Sequence, residues 1–118
     1  MVVLAVVANS LVAVISGVSC LIGLARPRLA LAEGEELTSA ATFFLGAYAA
    51  RALPLSVVTV AVLVAGGEAA TLPVLVIAGL AQVGDAIIGV RQRNTPMAIT
   101  CVGLAAVHLA TAVWLFAR

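Results

Sequence analysis

The chain contains no lysine, a single aspartate, a single histidine, one tyrosine and one tryptophan. Only 9% of its 118 residues are charged, and the net charge is +1. With no lysine and no basic patch, nucleic acid is excluded as a partner. A soluble domain carries about 25% charged residues, so the scarcity of charge also excludes an ordinary water-facing surface. Cysteine is sparse as well: Cys20 and Cys101 both fall in apolar runs, and no Cys-x-x-Cys pair occurs. One histidine, one interior carboxylate and two separated thiols give no metal-ligand spacing, so no metal site is expected. No cofactor-binding motif is visible, and no internal repeat or low-complexity linker divides the chain. One domain is the reading.

What remains is hydrocarbon. Apolar residues make up 64% of the sequence and the mean hydropathy is +1.27. A core of ordinary size cannot hide that much apolar surface from water, whereas a bilayer can. Membrane lipid is therefore the expected surrounding. Apolar runs cover residues 2–25, 40–65, 72–90 and 97–117, each near or above the ~20 residues that an α-helix needs to cross the hydrocarbon. The first run is too long for a secretory h-region and lacks a charged flank before it, so it reads as a retained anchor that exits at Arg26-Pro27-Arg28.

Helix punctuation agrees with these limits. Thr38 or Ser39 can cap the second run, Gly66-Gly67 ends it, Thr71 can cap the third and Thr95-Pro96 opens the fourth. Glu35 and Glu36 precede the second helix, on the side of its positive dipole end. Short links make sequential helices antiparallel neighbours. The expected fold is all-α, an integral membrane four-helix antiparallel bundle. Counting arginines beside the runs gives Arg26, Arg28, Arg91 and Arg93 against Arg118. The positive-inside rule then predicts a multi-pass protein of the cell membrane, with loops one and three cytoplasmic and both termini outside.

Against this background Arg51 and Asp85 stand out, because each lies inside an apolar run. Insertion scales put the cost of such a group at mid-membrane at roughly 2.5–3.5 kcal/mol. Mutual pairing in the bundle interior is the simplest offset, and an intramembrane ionisable group is by default a functional-site hypothesis. Tyr48 shares a helical face with Arg51. Pro54 deprives the Ala50 carbonyl of its helical donor, which either aims an acceptor at the site or makes an ordinary bend facing outward. Ala78, Gln82, Asp85 and Gly89 form one stripe; Asn9, Ala13, Ser16, Cys20 and Gly23 form another; His108 and Thr111 share a face of the last helix. Small and polar residues on one side of every helix are the inside-out pattern of a membrane bundle. At ~1.5 Å per residue, Asp85 lies about 8 Å deep, Tyr48 about 12 Å, and Arg51 and His108 about 17 Å. An Arg51–Asp85 contact is within reach of the long arginine stem.

Two readings of these groups stay open. In the structural one the ion pair fixes helix register, Tyr48 and Gln82 are interhelical glue, His108 is a satisfied core histidine and the cysteines are small hydrophobes. Trp114 is an aromatic-belt anchor and Glu68 a solvated loop residue. In the functional one Asp85, Arg51, His108 and Tyr48 are catalytic, and Gln82, Ser16, Asn9 and Thr111 bind the substrate. Tyr, Arg, Asp and His are the toolkit of proton transfer and anion stabilisation. Asp85 serves as acid or base, Tyr48 or His108 relays a second proton, and Arg51 holds a developing oxyanion. A pocket open to lipid would admit a lipophilic small-molecule substrate for isomerisation, cyclisation or epoxide opening.

The run Gly46-Ala47-Tyr48-Ala49-Ala50-Arg51, the run Gly84-Asp85-Ala86-Ile87-Ile88, the single His108 in the last span and Arg26-Pro27 after the first resemble an uncharacterised family of small four-helix integral membrane proteins, a domain of unknown function. The resemblance covers nearly the whole chain and implies the fold and the polar positions, not an activity. Members often carry an acidic residue directly after the second-helix arginine, where this chain has Ala52, so a second interior carboxylate is missing. A looser likeness is to DoxX-like four-helix proteins linked to quinone-associated redox systems. Three functions follow as hypotheses. The first is a cofactor-independent membrane acid/base enzyme, the second an accessory subunit of a redox or transport complex with a purely structural ion pair. The third is a small carrier working as a homo-oligomer.

Overall fold

The computed structural model describes residues 2–118. Four α-helices run through them: α1 Val2–Ala25, α2 Ser39–Ala65, α3 Glu68–Arg91 and α4 Thr95–Ala117. At 23 to 27 residues each helix is about 35–40 Å long, enough to cross the ~30 Å of hydrocarbon. All four are also apolar enough to do so. They pack antiparallel into a rod of 48 × 22 × 18 Å, with α1 closest to α2 and α3 closest to α4. The all-α membrane bundle expected from the sequence is the fold observed.

Local chemistry sets each boundary. Pro27 forces Arg26 out of helical geometry (φ −131°, ψ 72°), which ends α1 and leads into a single 3₁₀ turn over Pro27–Ala30. Of the two proposed caps, Thr38 is the one used: its hydroxyl accepts from the Ala41 N–H at 3.1 Å. Gly66 ends α2 where a Cβ would come within 2.5 Å of the Val62 carbonyl oxygen. The third helix starts four residues earlier than expected. Gly67 occupies the cap position and Thr71 lies inside the first turns, its hydroxyl donating back to the Gly67 carbonyl at 3.2 Å. Glu68, Ala69 and Ala70 are good helix formers, and the acid suits the positive dipole end. Pro73 is tolerated near the start of α3, on the exposed side.

The α3–α4 connection is only three residues long. Arg93 takes a left-handed conformation (φ 56°), with Asn94 N–H bonded to the Gly89 carbonyl and Arg93 N–H to that of Val90. This is the Schellman closure, usually made by glycine. Asn94 then caps α4, its Oδ1 accepting from Met97 N–H at 3.2 Å. One residue thus closes one helix and opens the next. A Cβ on Gly89 would stand 2.9 Å from the Ala98 backbone nitrogen, so α3 and α4 meet there nearly backbone to backbone.

Glu68 remains exposed as expected but belongs to α3 rather than to a loop. Glu68 is the first residue of α3 and pairs with Arg118, whose guanidinium also lies 4.7 Å from the Trp114 ring centroid. The two chain ends of α3 and α4 are thereby tied at the surface.

Most large aliphatic side chains and the phenylalanines face outward, and alanine is the commonest residue at the centre. The largest fully buried side chains are Leu75, His108, Asn9 and Thr59, three of them polar. Bilayer lipid, not water, is the medium in which that distribution is stable.

Candidate functional site

Helical spacing brings the predicted residues to the centre of the bundle. The α3 stripe Ala78, Gln82, Asp85 and Gly89 is buried throughout, as are Asn9, Ala13, Ser16 and Cys20 of α1; Gly23 lies at its half-buried end. Their polar groups gather into two centres joined by one link.

The first centre lies between α2 and α3. An Arg51 guanidinium nitrogen donates to Asp85 Oδ1 at 2.6 Å, a short charge-assisted bond. The partners are unequally covered: the Asp85 side chain is 4% exposed and that of Arg51 43%. Only the anion is interior, which corrects the expectation of an ion pair enclosed on both sides. Arg51 lies on an exposed position of α2, whereas Asp85 belongs to the buried stripe of α3. The guanidinium carbon sits 5.3 Å from the Tyr48 ring centroid, within cation–π range. Tyr48 thus meets the arginine through its ring face. Cys20 packs with Ala49, Ala52 and Tyr48 below the pair. Both cysteines are buried free thiols, so no disulfide joins them. Pro54 and Ala50 lie on the exposed face of α2, away from the site.

The second centre lies between α1 and α4. Asn9 Nδ2 donates to the Ala5 carbonyl at 2.8 Å and to Thr111 Oγ1 at 2.8 Å. Thr111 in turn donates to the Val107 carbonyl at 2.9 Å. The Asn9 Oδ1 lies 2.8 Å from His108 Nδ1. A carbonyl oxygen can only accept, so the Ala5 contact fixes which end of the Asn9 amide is nitrogen. Oδ1 must then accept from His108, so Nδ1 carries a proton, and in the neutral tautomer Nε2 holds the lone pair. The linking bond runs from Gln82 Nε2 to Ser16 Oγ at 2.9 Å and ties α3 to α1.

Asp85, Arg51, Gln82, Ser16 and His108 all line one small cavity. Tyr48, Asn9 and Thr111 stand behind them, holding the arginine or the histidine. Two polar cavity residues escaped the sequence reading: Ser56 and Thr59 of α2. Thr59 is 1% exposed and its hydroxyl has no partner. The signal was present, because Ala49, Ala52, Ser56, Thr59 and Leu63 recur at steps of three and four.

The cavity measures about 10 Å³. That is room for about one water, so the pocket open to lipid that was expected to admit a lipophilic substrate is not found among these residues. A larger groove of about 540 Å³ beside Gly89, Arg93, Ala98 and Val102 is open to the outside and holds none of the predicted site residues. Among the described residues, no three His, Cys, Asp or Glu side chains cluster as metal ligands. Comparison with family models, with curated proteins and with solved structures gives no match to this chain.

Proposed function

We propose that the chain is a membrane-embedded acid/base catalyst acting on the polar head of a lipophilic molecule. The observation that carries this reading is the unequal cover of the ion pair: a buried Asp85 carboxylate beside an Arg51 guanidinium left 43% exposed at the α2–α3 seam. Since the interior cavity is water-sized, the substrate stays in the lipid phase and presents its reacting group laterally. Arg51 holds a carbonyl, epoxide or enolate oxygen, and the charge on that oxygen grows in the transition state where the arginine already points. Asp85 moves the proton, and the Tyr48 ring keeps the guanidinium in place. Isomerisation, cyclisation and epoxide opening all fit this division of labour.

The test is turnover in deuterated water. Protein in nanodiscs is incubated with an apolar extract of its native membranes and the products are read by mass spectrometry. A wild-type-dependent product that disappears in Asp85→Asn and Arg51→Ala supports the proposal; full activity in Asp85→Asn removes it.

The alternative is an accessory subunit of a membrane redox or transport complex, with a purely structural pair. The small cavity favours it, as does the α1–α4 centre, where every polar side-chain atom of Asn9 and Thr111 is bonded. Co-purification of a stoichiometric partner, unchanged by substitutions at Arg51 and Asp85, would select this reading. Kinship with the uncharacterised four-helix family rests on the runs around Arg51 and Asp85, on His108 and on Arg26-Pro27, and no residue carries the looser likeness to the DoxX-like proteins. For topology we propose the cell membrane with loops one and three cytoplasmic, supported by the four-to-one arginine bias. Reporter fusions in each loop check that orientation.

A further inference from the structure

Around the small cavity, hydrogen-bonding capacity is left over on both sides. Thr59 Oγ1 is buried without a partner. Ser16 Oγ accepts from Gln82, so its own proton remains to be given, while Gln82 Oε1 is free to accept. Asp85 uses Oδ1 for Arg51 and keeps Oδ2. His108 is committed through Nδ1 and keeps the Nε2 lone pair. Two hydroxyl donors and three acceptors therefore border a space of about 10 Å³. A water molecule offers two protons and two lone pairs, needs two to four polar partners, and fits a volume of about that size. A lipid fragment or a hydrated cation does not fit.

We propose that this cavity is a built site for a single water molecule, anchored by the Thr59 hydroxyl and His108 Nε2. The site does not depend on the catalytic proposal, because an orphaned hydroxyl in a dry apolar interior is itself costly.

The single histidine of the chain makes the test unambiguous. Protein labelled with ¹⁵N-histidine is reconstituted in bilayers, and magnetisation transfer from water protons to the ring nitrogens is followed by solid-state NMR. The expected result is a neutral ring protonated at Nδ1 with rapid transfer from water, falling several-fold in Thr59→Val and retained in Thr59→Ser. Thermal stability gives a second readout of opposite sign for the two cases. If water is bound, Thr59→Val removes an anchor and lowers the midpoint. If the cavity is dry, the same change removes an unpaired hydroxyl and raises it. Absence of water transfer in the wild type, or a raised midpoint in Thr59→Val, overturns the proposal.

Discussion

The two polar centres use similar numbers of groups but are finished differently. Between α1 and α4, Asn9 and His108 are 0% and 2% exposed, and every amide and hydroxyl atom of Asn9 and Thr111 is committed to a neighbour. Between α2 and α3, a comparably buried carboxylate is matched by a cation that is nearly half open. Networks that are closed on themselves specify packing. An ion pair with one accessible partner keeps capacity for something outside the bundle. On the proposed reading, function belongs to the seam and packing to the opposite face, with the water-sized cavity between them.

Substitutions can sharpen that contrast. The largest expected effect is Arg51→Ala, which strands the buried Asp85 carboxylate and destabilises the bundle by about 3 kcal/mol, at the low end for breaking a buried pair. Asn9→Ala comes next, at about 2 kcal/mol, because it leaves the His108 N–H unpaired and removes the donor to the Thr111 hydroxyl oxygen. Asp85→Ala costs less, roughly 1 kcal/mol, since the freed arginine is already half exposed and can lean toward the interface. Tyr48→Leu is smallest, about 0.5 kcal/mol, the loss of one exposed cation–π contact. Unfolding in mixed micelles measures all four. The telling feature is order: if Asp85→Ala were more damaging than Arg51→Ala, the unequal cover of the pair would be wrong.

The sequence made the bundle and most of its polar positions legible for one physical reason. In lipid, charge and hydrogen-bonding groups are expensive enough that their helical phase marks the interior. Asp85, Gln82, Ser16, Asn9 and His108 were all placed inward on that ground, and all are buried. Thr59 was missed because a threonine can bond its own helix, so its phase carries a weaker signal. The start of α3 was misplaced because Thr71-Leu72-Pro73 imitates a helix opening, whereas Gly67 provides an earlier one. Exposure of Arg51 was not legible at all. It depends on which face of α2 its neighbours cover, and that is set by side chains on all four helices together.

Recognition of a lipophilic molecule at the seam is the central claim, and ligand retention tests it most directly. Wild type, Arg51→Ala and Asp85→Asn are purified from the same membranes in mild detergent, and the apolar molecules that stay bound are identified by mass spectrometry. The account predicts one oxygen-bearing lipophile enriched on the wild type and lost from Arg51→Ala. An identical set of bound molecules on all three proteins would contradict it.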